Sequence, residues 1–162
     1  MNNKIKIFAV LITCLYFWYY VFTYTEWHFI DSVNLAFHEA GHAIFFFLGK
    51  FLNILAGSAF QIILPTALSL YFFYKGEKIS GSLCLLWVAQ NFLNTSIYVG
   101  DAMKMELDLI GGEYVTHDWN YILNTLGIIK YTNTISTIFY NLGMMIMTAG
   151  TVLSIFFSTK DN

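Results

Sequence analysis

Apolar runs of about twenty residues recur along this chain, at roughly residues 5–24, 30–48, 54–74, 79–99 and 135–157. As a helix, such a run is long enough to cross the hydrocarbon core of a bilayer. Inside that core every backbone N–H and C=O must find a partner within the protein, which makes helices the expected element. Composition agrees. Of 162 residues, 57 % are hydrophobic and 11 % charged, against about 25 % charged in an ordinary soluble domain. A soluble protein of this size could not hide so much apolar surface. The expected fold is therefore all-α: a single integral membrane domain over residues 1–162, built as a polytopic bundle of about five transmembrane helices plus a short amphipathic helix. Membrane lipids are its expected surroundings, and a bacterial plasma membrane its expected location.

The punctuation between the runs refines this plan. Lys4 and Lys6 precede the first run as in a signal peptide. The run is long enough to span, however, and no small-x-small cleavage site follows it, so it reads as a retained first helix. Gly49, Lys50 and Asn53 mark a turn, and "KGEK" after Tyr74 is a tight polar link that makes the third and fourth runs an antiparallel pair. The third run contains Pro65, the only proline, which suggests a kink. Residues 100 to 133 are mixed. There Gly111-Gly112 is a breaker and Thr116 an expected N-cap. Trp119, Ile122, Leu123 and Leu126 share one face of a short helix that Gly127 would end. Counting lysines places Lys4, Lys6, Lys50, Lys104 and Lys130 on one side and Lys75, Lys78 and Lys160 on the other, which favours a cytoplasmic N-terminus.

Some functions are disfavoured. The net charge is −2 and no basic run is present, so nucleic acid is not an expected partner. Cys14 and Cys84 lie far apart in apolar runs and match no metal or redox spacing, so they read as packing residues.

The second run holds the chemistry. "FHEAGHAIFFFL", residues 37 to 48, places His38, Glu39 and His42 where lipid would be expected. Positions i and i+4 lie one turn apart on one helix face, so His38 and His42 can converge on one ion. Glu39 projects beside them, where it can take a proton from a water polarised by the metal. Zinc suits nitrogen and oxygen ligands and leaves a position for water. With 4 His in 162 residues, H-E-x-x-H arises by chance in roughly 0.3 % of such chains. Ionisable residues at membrane depth are costly and generally functional, which favours a metal over a merely polar stripe.

Two histidines leave the site incomplete. Asp101 follows the fourth run in "YVGDAM"; His117 and Asp118 begin the short helix; His28 and Asp31 precede the motif. Asp101, at the end of a membrane helix, is the leading candidate for third ligand, with His117 the alternative. Asp118 could orient a ligand histidine from behind.

A membrane-embedded H-E-x-G-H followed by further spans resembles the site-2 protease type of intramembrane zinc metalloproteases. The resemblance covers roughly residues 34 to 101. It extends to "AGSAFQ" at Ala56 to Gln61, where Ser58 replaces the family's proline, and to "NFLNTSIYVGD" at Asn91 to Asp101, where the glycine precedes the aspartate. It implies that His38, His42 and Asp101 bind zinc and that Glu39 is the catalytic base. Gln61, Asn91 or Asn94 would hydrogen-bond substrate or oxyanion; helix–helix hydrogen bonding is the ordinary role of such amides. The implied substrates are transmembrane or membrane-proximal peptides. A metal-dependent hydrolase acting on a lipid and a non-enzymatic metal-binding membrane protein are the competing readings, and Glu39 favours catalysis over the second.

Overall fold

A computed structural model describes residues 3–108 and 116–160. The Gly111-Gly112 breaker lies outside them. The described residues form six α-helices and two short 3₁₀ turns, with α1 at Asn3–Phe22, α2 at Phe29–Ile44, α3 at Lys50–Tyr74, α4 at Lys78–Gly100, α5 at Asp118–Thr125 and α6 at Thr132–Lys160.

α4 is the central helix, packed against α1, α3 and α6. Its Leu86, Ala89, Leu93 and Val99 are buried, and so are its Ser82, Gln90, Asn91, Thr95 and Ser96. α6 approaches closely through Gly143 and Gly150. A Cβ on Gly143 would stand 2.9 Å from Leu93, and one on Gly150 would stand 3.0 Å from Leu86. Small residues at such a seam let two helices pack where lipid supplies no hydrophobic drive.

The sense of each helix follows from its contacts. Lys78 lies over the Phe157 ring while Ser136 donates to the Ser96 carbonyl, so α4 and α6 are antiparallel. Ser69 donates to the Gly81 carbonyl while Gln61 donates to Asn94, so α3 and α4 are antiparallel across the expected tight link. Cys14 meets Ser154, Trp18 meets Thr151 and Tyr24 meets Tyr140, which sets α1 antiparallel to α6. His38 meets Gln61 and His42 meets Asn53, which sets α2 antiparallel to α3. α1 and α2 therefore both advance in the sense of α4, joined by a break at residues 23–28.

Three segments are long and apolar enough to cross a membrane: Asn3–Phe22, Lys50–Tyr74 and Ile129–Lys160. The expectation of five such spans is met by three, for two physical reasons. α2 has 16 residues, about 24 Å of helix at 1.5 Å per residue, short of a core roughly 30 Å thick. α4 is long enough, but its amides and hydroxyls lower its hydropathy, and those groups face other helices.

α3 runs through Pro65 and begins at Lys50, four residues earlier than the expected Ile54, so Asn53 belongs to its first turn. The short amphipathic helix is present as α5. Its N-cap is His117 rather than Thr116, because the His117 side chain accepts the Asn120 backbone N–H. Trp119, Ile122 and Leu123 are buried; Leu126, beyond the last turn, is exposed. Gly127, at φ 69°, follows the helix end as expected.

Candidate metal centre

α2 supplies the first elements of the site. Asp31 accepts the His28 backbone N–H at 2.8 Å and so anchors the first turn. From there the helix places His38, Glu39 and His42 toward a cleft of about 530 Å³. Tyr24, Glu26 and Trp27 from the α1–α2 break line this cleft, together with Lys50, Tyr98 and Asp118. Irregular backbone within a membrane bundle is tolerated where it lines a cavity, and the break borders this cleft.

His38 Nε2 lies 2.8 Å from Asp118 Oδ2, His42 Nε2 lies 3.2 Å from the same oxygen, and the two Nε2 atoms are 3.1 Å apart. The partners on the far side of each ring decide what these atoms present. His42 Nδ1 faces the Asn53 carbonyl at 2.8 Å. A carbonyl only accepts, so the proton sits on Nδ1. The Asn53 amide in turn donates to the His42 carbonyl, tying the start of α3 to the ligand helix. His38 Nδ1 faces Gln61 Oε1 at 3.0 Å and likewise carries its proton there. With both rings neutral, as metal ligands must be, both Nε2 atoms turn lone pairs toward a carboxylate oxygen. Three acceptors within 3.2 Å of one another call for a cation between them. Ligand atoms about 2.0–2.2 Å from a tetrahedral zinc lie roughly 3.3–3.6 Å apart, an expansion of this triangle by a few tenths of an ångström or more.

The chain also keeps space there. Gly57 of α3 backs onto the two rings, and a Cβ on it would stand 2.5 Å from His42 Nε2 and 2.6 Å from His38 Nε2. No other residue type leaves that volume free. Among the described residues, His38, His42 and Asp118 form the one cluster of His, Cys, Asp or Glu able to share an ion.

Asp101 and His117, expected as ligands, are placed elsewhere. The Asp101 carboxylate accepts the backbone N–H groups of Glu106 and Leu107 and lies 3.1 Å from His117 Nε2. His117 Nδ1 accepts from Asn120, so Nε2 carries the proton and donates to Asp101. Both histidine nitrogens are engaged. Asp101 does have the partner its burial demands, but that partner is a histidine. The pair closes the loop after α4 onto the N-terminus of α5, where the Asp118 backbone N–H donates to the Tyr98 hydroxyl. Asp118 is thus delivered to the site itself rather than behind a ligand. Its one signal in the sequence is its position: an acidic first-turn residue of a helix whose other face is apolar.

His28 bonds to Thr23 within the break. Gln61 and Asn94, expected to contact substrate, border the cleft but bond to each other and to site residues. Asn91 donates to the Trp87 carbonyl. No family model, curated protein or solved structure matches the chain.

Proposed function

We propose that the protein is a membrane-embedded zinc metallopeptidase, similar to the site-2 protease type, that hydrolyses peptide bonds of transmembrane or membrane-proximal substrates. The observation that carries this reading is the convergence of His38 Nε2, His42 Nε2 and Asp118 Oδ2 with Glu39 on the adjacent position of the same helix. Two nitrogens and one carboxylate oxygen form a donor set suited to zinc. When bound, zinc supplies a Lewis acid for the scissile carbonyl and lowers the pKa of its water to about 7.

The residues divide the remaining work. Glu39 is exposed to the cleft, so it is free of a competing structural role. Hydrolysis adds one water across the C–N bond: oxygen and one hydrogen go to the acyl carbon, and the other proton must reach the leaving nitrogen. Glu39 takes that proton as base and returns it as acid. The cleft beside the α1–α2 break admits both water and an unwound peptide segment. The bundle is proposed to sit in a bacterial plasma membrane, with α4 crossing beside the three apolar helices and its polar groups satisfied inside the bundle.

Elemental analysis of the purified protein tests the centre. About one zinc per chain is expected, lost in His38→Ala, His42→Ala and Asp118→Ala and kept at saturating zinc in Asp101→Ala. Zinc content unchanged in Asp118→Ala removes that ligand. Glu39→Gln is expected to keep zinc and to abolish cleavage of membrane-peptide substrates; an active Glu39→Gln protein would remove the base. Cleavage of lipid esters but not of peptides would move the activity to a lipid substrate.

A further inference from the structure

His38 is a useful ligand only while its proton stays on Nδ1, and the group facing Nδ1 is an amide. An amide is reversible. Turned one way, Gln61 offers Oε1 and holds the proton on Nδ1. Turned the other way, it offers N–H, and His38 must carry its proton on Nε2, in the metal position. Something has to choose the direction.

The neighbours of Gln61 show what does. Its Nε2 donates to Thr95 Oγ1 at 3.2 Å, but a hydroxyl both donates and accepts and so selects neither direction. Its Nε2 also donates to Asn94 Oδ1 at 3.1 Å. Asn94 is itself an amide and passes the question on: its Nδ2 donates to Asp31 Oδ1 at 3.0 Å. Asp31 cannot reverse. It is buried, and donors surround it: the Tyr20 hydroxyl, Gln90 Nε2 and Asn94 Nδ2 on one oxygen and the His28 backbone N–H on the other.

We propose that Asp31 is a positioning residue for the metal site, acting through Asn94 and Gln61 to hold His38 in the Nδ1–H tautomer. This rests on the metal-site reading for its purpose but not for its geometry. The chain His38→Gln61→Asn94→Asp31 has every donor pointing toward the carboxylate. Two amides thus carry the influence of one anion from the foot of α2 to a ligand seven residues up the same helix, through α3 and α4. Asp31 and Asn94 touch no ligand atom. Removing either frees Gln61 to turn.

The test reads the tautomer directly. The chain has 4 His, so ¹⁵N-histidine labelling of the metal-free protein in detergent gives a resolvable set of ring-nitrogen signals, with His38→Gln supplying the assignment. In the unaltered protein His38 is expected to carry a proton on Nδ1. Asn94→Ala and Asp31→Asn are each expected to give a mixture of tautomers and to weaken Co²⁺ binding by about ten- to a hundredfold, the usual effect of losing a residue that orients a metal ligand. The exchange variant Asp31→Asn/Asn94→Asp, which moves the anion one step along the chain, should restore both. A mere packing role would give no such rescue. An unchanged His38 tautomer in both single variants overturns the proposal whatever the metal affinity. Failure of the unaltered protein to bind Co²⁺ would instead count against the metal-site reading alone, because the tautomer is read without metal.

Discussion

Gly57 is the residue whose role is hardest to see in the sequence and simplest to test. It stands in "AGSAFQ" as one small residue among several, and helical spacing alone does not show that it backs onto two histidines of another helix. A methyl group there would meet both ligand nitrogens at about contact with an ion. Gly57→Ala should therefore fold, since alanine favours a helix over glycine by up to about 1 kcal/mol, yet lose on the order of tenfold to a hundredfold in zinc affinity. A melting temperature that holds or rises while zinc is lost would show the site, and not the fold, to be what glycine protects. Zinc affinity equal to that of the unaltered protein would mean that the histidines do not hold the ion beside α3. The placement of His38, Glu39 and His42 on one helix beside one another was legible, because their spacing lies within that helix. Asp118 was legible only as a candidate, because what selects it over Asp101 is the partner each finds in space.

At the scale of elements, α5 shows why. The sequence marks a short amphipathic helix, and one forms within a residue of the expected start. What it does not show is that His117 and Asp101 pin the helix from behind while Asp118, the next residue, faces the site. Asp101→Ala and His117→Ala should each destabilise the protein by about 1–3 kcal/mol through a buried partner left unsatisfied, and each should weaken zinc binding less than Asp118→Ala does. The double variant should cost less than the sum of the two, as expected for groups in direct contact. Thermal melts and zinc titrations of the three variants check this. Additive losses would show that the pair does not act as a unit.

For the whole molecule, the apolar runs were read correctly as helices, but three of them, not five, are long and apolar enough to cross a membrane. Hydropathy registers apolar length and is blind to direction. Since α1 and α2 advance in one sense, they would make a single pass broken at residues 23–28, and with α4 crossing as proposed, α3, α4 and α6 would add three more. Both ends of the bundle, Asn3 and Lys160, then lie at one face with Lys75 and Lys78, opposite Lys50, Lys104 and Lys130. Lys4 and Lys6 thus fall with Lys75, Lys78 and Lys160 rather than, as expected, with Lys50, Lys104 and Lys130, and the lysine bias would place the five, with both ends, on the cytoplasmic side. Reporter fusions at the two ends should report the same, cytoplasmic, compartment, whereas a five-pass bundle would place them in opposite ones. Such a result would also set the cleft toward the outer leaflet, because the site lies near the end of α4 that carries Gly100.

The Asp118 carboxylate meets the His38 ring across a separation of 80 residues. During synthesis α2 leaves the ribosome long before α5 does, and over that interval the growing chain carries His38, Glu39 and His42 but not Asp118. On the proposed reading, hydrolytic capacity would thus arise only once the chain has been made past Asp118 and α5 has folded back onto α2. A half-made molecule could not attack its own helices or its neighbours at the site of insertion.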